Sequence, residues 1–322
     1  MTQLTNAQRA SRLRDREPDI RAAMARWREL RATGGLRDPL TEIRLRNTFV
    51  ENAAPTGSGS TRRLPARADR PPAPRLVTAQ GSLLRWEIGV LAEAQLRTPI
   101  GRVPTNPRPL MGDDGAIPGW SDLFPLEAKP TSGTRATYSS VYDLRRNQLV
   151  GNVRKLVDDK FLRLPDRDPP PRRFDAEGFR LLEEGGAISG YEGEEYVVPK
   201  PDQDSFTVPF GLVENGWLFT LPESALVMLL FAARHYDPDS EDGVVMSEED
   251  RIRRFGISPS TYGQAQLLDA LGLLEVTMDP SRAVLTNATP RDKRHSRPNS
   301  LRMVPDRLAD DGIEAMIAHF EN

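Results

Sequence analysis

A dense series of secondary-structure signals over residues 221–285 constrains the fold more than any other part of the chain. Residues 225–233, ALVMLLFAA, are apolar on every side and predict a buried central helix. Thr220 is a residue type that caps helices and Pro222 suits a first turn, so we expect the helix to start there. The apolar run is too short to cross a bilayer, which needs about 20 such residues.

Two further helices are predicted directly after this one. Ser247 is followed three residues later by an acidic residue, a pattern that favours a helix start. A tight turn begins at Gly256, and Ser258 after it is an expected N-cap for a helix over 260–271. Three- and four-residue spacing places Leu268 on the core-facing side of that helix.

The next residues are predicted to form a β-ribbon, that is, two strands joined by a turn. A strand is expected over 273–278, a turn over 279–282 and a return strand over 283–285. With the turn at 256–258 and the Leu-Gly-Leu-Leu sequence at 271–274, this order resembles a winged helix-turn-helix domain. That resemblance implies that the helix after the turn enters the DNA major groove and that the ribbon, or wing, contacts the backbone or minor groove.

The same order of elements is predicted once more in the N-terminal half. Helices are expected over 78–96, 120–124 and 138–159, followed by a hairpin whose strands cover 161–164 and 178–182. This part also resembles a winged helix, although no internal sequence repeat accompanies it.

The predicted fold is therefore mainly α-helical with small β-hairpins, divided into two winged-helix domains. We expect an N-terminal helical arm over 1–51, a flexible basic linker over 52–75, a first domain over 76–200 and a second over 201–322. In the arm, 6–33 reads as one long helix that docks on the body through Trp27 and Leu30, mediates dimerisation, or contacts DNA. Basic residues in the linker either contact phosphates loosely or are simply solvated.

The sequence favours no enzyme class. It has no cysteine, which excludes disulfides and thiolate chemistry. The Gly/Ser-rich run at 57–61 lacks the lysine of a phosphate-binding loop, and none of the three histidines has a partner at metal-ligand spacing. We therefore expect neither a cofactor nor a metal, and no signal peptide or membrane span is visible. A cytoplasmic, nucleoid-associated protein is the expectation.

The charge is distributed unevenly along the chain. Residues 1–160 carry 27 Lys and Arg against 17 Asp and Glu (+10), and residues 161–322 carry 17 against 29 (−12), which gives the total of −2. A net charge near zero is thus compatible with nucleic-acid binding, because phosphates respond to local basic surfaces.

Three surfaces are predicted to contact double-stranded DNA. The 138–159 helix offers residue types that pair with guanine and adenine edges, or is a salt-bridged surface helix. The start of the 260–271 helix has no Arg or Lys, so it reads bases through neutral hydrogen bonds or does not touch DNA. The basic segment near residue 294 is expected to hold phosphates. In this order, the predicted contact residues are Ser139, Ser140, Arg145, Arg146, Gln148, Asn152, Arg154 and Lys155; Ser260, Thr261, Tyr262 and Gln264; and Arg282, Arg291, Lys293, Arg294 and Arg297.

Two classes of function follow from these features. The first is a sequence-specific DNA-binding protein, as a transcriptional regulator or as a plasmid-type replication initiator that binds origin repeats. The second is a protein–protein interaction module on winged-helix scaffolds, favoured by the acidic C-terminal half. Double-stranded DNA is the predicted partner, with a homodimer as a further alternative.

Overall fold

The chain folds mainly into α-helices, with small antiparallel sheets between them. The structure, a computed structural model, describes residues 4–34, 39–52, 63–78, 82–112, 117–126, 140–166, 174–184, 193–277 and 299–322. Its helices are α1 (Asn6–Thr33), α2 (Pro72–Leu76), α3 (Leu83–Arg97), α4 (Trp120–Leu123), α5 (Val141–Asp158), α6 (Gly211–Glu214), α7 (Trp217–Thr220), α8 (Glu223–Arg234), α9 (Glu248–Arg253), α10 (Pro259–Tyr262), α11 (Ala265–Ala270) and α12 (Gly312–Glu321). Short 3-10 helices lie at Asn47–Phe49, Arg67–Asp69 and Pro305–Ala309.

The strands form three antiparallel sheets. In chain order they are β1 (Glu42–Arg46), β2 (Leu162–Arg163), β3 (Arg180–Leu181), β4 (Ser205–Pro209), β5 (Val244–Val245), β6 (Leu274–Thr277) and β7 (Ser300–Met303). Strand β1 pairs with β4, and β2 pairs with β3. The remaining sheet has three strands in the order β5-β7-β6, so the last strand along the chain lies in the middle.

One continuous apolar core runs through the described residues. Side chains from α1, α3, α5 and α8 all belong to it. Helix α8 lies at its centre, because every residue from 225 to 233 is buried, as the all-round apolar sequence predicts. The predicted boundaries between arm, linker and two domains stay predictions.

The N-terminal helix docks on this core. Helix α1 has the predicted extent, and its Trp27 is fully buried, with Nε1 donating a hydrogen bond to the Leu123 carbonyl (3.0 Å). Leu30 is partly buried against the core. The far end of the helix lies along α12, where Arg14 forms an ion pair with Glu321. Among the three alternatives for this helix, docking on the body is what the structure shows.

Three local predictions are corrected by the structure. Thr220 does not cap α8: it ends α7, its hydroxyl donates to the Gly216 carbonyl (3.1 Å), and Pro222 holds the N-cap position. The expected single helix over 260–271 is divided into α10 and α11. At the division, Gln264 N–H bonds to the Thr261 carbonyl (3.0 Å), a three-residue spacing that tightens the backbone.

The third correction concerns the predicted flexible linker. Residues 53–62 lie outside the described residues, but 63–76 are structured and α2 is buried throughout. Pro72 fits the first helical turn because its ring fixes the backbone angle that a helix needs. Arg75 is 7% exposed and stacks on the Phe161 ring at 4.8 Å. The arginines of this segment are thus partly used for packing.

The first predicted β-ribbon has a counterpart in the described residues, whereas the second can be followed only on one of its strands. Strands β2 and β3 form the first, at the expected place. In the second, β6 pairs with β7, with Leu274 opposite Met303 and Thr277 opposite Ser300. The expected return strand over 283–285 lies outside the described residues.

A carboxyl group is buried in the core without a hydrogen bond. Glu87 of α3 is fully buried, and neither of its carboxylate oxygens has a partner among the described residues. Burial raises the pKa of Glu87 well above the ordinary glutamate value, and the nearby Glu184 raises it further. Glu184 is itself buried and pairs with Arg46. Folding therefore favours the protonated form of Glu87.

We expect Leu268→Ala to lower the free energy of unfolding by about 2–5 kcal/mol, because it leaves a cavity beneath α11. Leu268 is fully buried, whereas the adjacent Leu267 is only partly buried, so Leu267→Ala is the matched control and should cost less. Denaturant unfolding followed by circular dichroism measures both. Equal losses for the two variants would show that α11 is rotated.

We expect Glu87→Gln to flatten the pH dependence of stability. A group whose pKa is raised by folding stabilises the protein below its unfolded pKa, and this contribution is lost as pH rises through the folded pKa. The wild type should therefore lose stability from about pH 4.5 upward, by about 1.4 kcal/mol for each unit of the shift, and the variant should not. Unfolding at several pH values tests this, with the 74% exposed Glu248, changed to Gln, as the control. Parallel profiles of wild type and Glu87→Gln would contradict it.

Candidate nucleic-acid interface

The turn between α9 and α10 is fixed by contacts within its own sequence. Gly256 adopts a φ of +59°, a backbone conformation that favours glycine. The buried Arg251 donates a hydrogen bond from its guanidinium to the Ile257 carbonyl (2.9 Å). Ser258 caps α10, with its hydroxyl accepting from the Thr261 N–H (3.0 Å). The predicted turn and both caps, Ser247 included, are confirmed.

The unit that contains this turn covers residues 223–303, and its four predicted base-reading residues lie on α10 and just after it. Ser260 is exposed, and Thr261, Tyr262 and Gln264 are half-buried. The Ser258 hydroxyl lies 2.9 Å from the hydroxyls of both Ser260 and Thr261. These three groups therefore form one small hydroxyl network at the start of α10. Tyr262 packs under the guanidinium of Arg251, 5.9 Å from its ring centroid.

The electrostatics of this unit are mixed. Helix α9 begins with three acidic residues, 248–250, and neither α10 nor α11 contains Arg or Lys. The five predicted phosphate-contacting residues Arg282, Arg291, Lys293, Arg294 and Arg297 belong to the chain between β6 and β7 and lie outside the described residues. Residues 278–298 carry five Arg and Lys against two Asp, a net charge of +3. The positive charge of the unit is thus concentrated between two paired strands.

Helix α5 carries the other predicted contact surface. Ser140 is its N-cap in a capping box with Asp143, and Ser139 lies outside the described residues. Arg145 forms an ion pair with Asp19 of α1 at 3.2 Å, whereas Arg146 beside it is exposed. The structure thus separates two neighbouring arginines: one is tied to α1 and the other projects from the helix.

The other predicted contact residues of α5 lie in two different environments. Arg154 lies over the Phe174 ring, 4.6 Å from its centroid. Gln148, Asn152 and Lys155 instead line a groove beside the helix. Asn152 is only 6% exposed, and its Oδ1 accepts a hydrogen bond from the Ser82 hydroxyl (3.0 Å). Recessed in this way, Asn152 does not lie on the outer face that a base-reading residue needs.

This groove, the α5 groove, has a volume of about 460 Å³. It is lined by Arg16, Ser82, Arg85, Pro125, Leu126, Asn147, Gln148, Gly151, Asn152 and Lys155. Arg16 comes from α1, and Ser82 and Arg85 from the start of α3. Nothing in the local sequence around these three residues indicates that their segments meet beside α5, so they could not be predicted as neighbours of that helix.

A buried glutamate positions the start of α3 at the groove. The Glu223 carboxylate accepts hydrogen bonds from the backbone N–H groups of Leu84 (2.8 Å) and Arg85 (3.3 Å), in the first turn of that helix. Ser82, at the N-cap position, makes no such bond with its side chain. Burial raises the pKa of Glu223, and the nearby Arg85 opposes that shift. The carboxylate therefore takes the role of a cap supplied from α8.

Within the residues that the structure covers, no three His, Cys, Asp or Glu side chains are grouped so that they could hold a metal ion. None of the helices described above combines the length and hydropathy needed to cross a bilayer.

Comparisons of the chain with protein-family models, curated proteins and solved structures gave no match. No relative therefore supplies a fold assignment or a residue role. Its function has to be inferred from its own geometry and charge.

Proposed function

We propose that this chain is a sequence-specific double-stranded DNA-binding protein that acts as a transcriptional regulator. The observation that supports it most is the arrangement of residues 223–303. Two short helices meet at a fixed glycine turn, and two paired strands follow, separated in sequence by a segment of net charge +3. This is the arrangement expected of a winged helix.

In this proposal, the start of α10 faces the major groove. Its hydroxyls and the Gln264 amide are neutral donors and acceptors, and such groups read base edges without adding charge. The basic segment 278–298 supplies the phosphate contacts that fix the register of the protein on the duplex. The proposal thus assigns base recognition to α10 and phosphate binding to the segment 278–298.

Helix α5 is the second proposed contact. Arg146 is exposed, and an arginine can make a bidentate pair with O6 and N7 of guanine. Arg145 must exchange its exposed partner Asp19 for DNA before it can contribute in the same way. We therefore assign the larger share of base reading on this helix to Arg146.

A plasmid-type replication initiator uses the same contacts, because both classes of protein read duplex grooves. Footprinting distinguishes them: one operator upstream of a gene favours a regulator, and repeated sites near an origin favour an initiator.

A protein-interaction module is the second candidate function. One specific feature favours it: α9 begins with three acidic residues, and α10 and α11 contain no basic residue, so the start of α10 has no cation of its own for phosphates. In that case the surface around Ser260 binds a protein partner instead of a DNA groove.

A mobility-shift titration with pooled genomic fragments separates the two candidates. A DNA-binding protein should shift a subset of fragments near physiological salt, and affinity should fall steeply as the salt concentration rises. If no fragment shifts at low or physiological salt, the DNA proposal fails and the interaction module remains.

We expect Arg146→Ala to weaken binding to the selected DNA site by about 1–3 kcal/mol and to relax the preference at one base pair. Sites selected from a random library by wild type and variant give both quantities. Arg26→Ala on α1, which pairs with Glu29 and is not a predicted contact, controls for the loss of one charge. A base preference that is the same in all three proteins would exclude Arg146 as a reader.

We expect replacement of Arg291, Lys293, Arg294 and Arg297 by serine to weaken binding to all DNA sequences alike. Each lost phosphate contact should reduce the slope of log affinity against log salt by about 0.9, so four contacts reduce it by about 3.6. Titrations at four salt concentrations measure the slope. A slope equal to that of the wild type would remove this segment from the interface.

A further inference from the structure

A short basic stretch, residues 63–71 just before α2, is named here the arginine arm. It carries three Arg and one Asp, a net charge of +2. Arg63 is exposed and Arg70 is half-buried, and among the described residues neither forms an ion pair. Arg67 differs, because its Nε donates to the Arg75 carbonyl (2.9 Å) and it pairs with Asp159 at 3.5 Å. Arg67 therefore helps to hold the arm, and Arg63 and Arg70 are its candidates for binding.

The arm packs against the glycine turn between α9 and α10. A Cβ built on Gly256 would lie 3.1 Å from both Cβ and Cγ of Arg70 and 3.1 Å from Cδ of Pro71. Such a distance is tighter than an ordinary van der Waals contact, so the glycine allows a closer approach than any side chain would. Gly256 lies two residues before Ser258, the N-cap of α10. The arm is thus a direct neighbour of the start of α10.

Hydrogen bonds hold the arm in this place. The backbone N–H of Asn52 donates to the Arg254 carbonyl (2.9 Å) at the end of α9, and its Nδ2 donates to the Asp69 carbonyl (2.9 Å). Within the arm, Nε of Arg70 donates to the Pro65 carbonyl (3.0 Å). Asn52 therefore connects the arm to α9, and the arm follows the turn as part of one surface.

The side chain at the end of α9 adds to the positive charge. Arg254 has a side chain that is 44% exposed, and it shares the Glu51 carboxylate with Arg234 at 3.4 and 3.3 Å. One carboxylate thus faces two guanidinium groups, which leaves a charge of +1 on these three side chains. The end of α9 does not neutralise the arm beside it.

The arm and α10 have complementary properties. A protein that reads base edges also needs phosphate contacts that fix its register on the duplex, and arginine commonly supplies them. Helices α10 and α11 contain no Arg or Lys. The nearby arm contains cations, although it lies far from these helices in the sequence. The fold therefore places positive charge at the end of α10 that is proposed to face the major groove.

We propose that Arg63 and Arg70 of the arginine arm bind backbone phosphates of duplex DNA next to the bases that α10 reads. This inference rests on the proposed DNA binding and adds a second phosphate contact to that of residues 278–298. The guanidinium group suits it, because its planar fork can bond two phosphate oxygens at once. The bond from Nε of Arg70 to Pro65 leaves both terminal nitrogens of that guanidinium for the phosphate.

Salt titrations of the full chain on its selected DNA site test the proposal. Glutamine keeps the Cβ and Cγ atoms that pack on Gly256 and removes the charge, so the double variant Arg63→Gln/Arg70→Gln should fold like the wild type. Its slope of log affinity against log salt should be less steep by about 1.8, or about 0.9 for each lost phosphate. The control Arg12→Gln/Arg26→Gln removes two exposed charges from α1 and should keep the wild-type slope.

Two further measurements separate an ordered contact from other effects. Ethylation interference should show one or two fixed phosphates that block wild-type binding when ethylated and no longer affect the double variant. Base preference in sites selected from a random library should stay the same, because a phosphate contact carries no sequence information. Arg63→Gln alone, at an exposed position, should reduce the slope by about 0.9 and serves if the double variant is unstable.

The outcomes distinguish this inference from the proposed function. If the wild type binds no DNA, the proposed function fails and the arm contact fails with it. If the wild type binds and Arg63→Gln/Arg70→Gln keeps its slope, only the arm is removed from the interface. The same decrease in slope in Arg12→Gln/Arg26→Gln, or an interference pattern equal to that of the wild type, would indicate a distant effect of charge and would also overturn the arm contact.

Discussion

The hydrogen bonds from the start of α3 to the Glu223 carboxylate are the contact on which the arrangement of the two halves depends. Glu223 is 4% exposed and begins the central helix α8, yet it caps a helix from the other half of the chain. The N-terminus of a helix carries partial positive charge, so a carboxylate is well placed there. Removing it would leave several backbone N–H groups buried and unpaired, at about 1–3 kcal/mol each. The contact fixes α3 against α8, and the Arg85 guanidinium adds a hydrogen bond to the Leu221 carbonyl (2.7 Å) just before α8.

Other buried polar groups tie distant segments together in the same way. Arg108 is buried against Glu93 at 2.6 Å, and Arg46 bonds to the fully buried Glu184 at 2.5 Å. Buried ion pairs of this kind often add little net stability, because both charges lose their hydration. Their geometry is nevertheless specific: an alternative packing would leave a charge unpaired in the core. Glu87 lacks such a partner among the described residues, and protonation is the way in which it avoids that cost.

Elements defined by local patterns could be predicted, whereas those defined by distant contacts could not. The apolar run of α8 and the glycine turn at Gly256 follow from periodicity and backbone preference, and both are present. Strand β1 was not predicted, because its partner β4 lies far along the sequence and its five residues carry three charges. Local sequence patterns likewise predicted neither the capping of α3 by Glu223 nor the groove beside α5. In the candidate interface, the order of elements was predictable, but the recessed position of Asn152 depends on where Ser82 lies.

The three sides of helix α5 have three different environments. One side of the helix, including Leu149 and Val153, is in the core; a second, with Gln148 and Asn152, faces the groove; and Arg146 projects outward. The position of Arg146 therefore depends on contacts that it does not make itself. The packed side of α5 fixes the helix in the core, and the ion pair between Arg145 and Asp19 joins the helix to α1. Contacts between α1 and α5 thus determine which way the proposed base-reading arginine is presented.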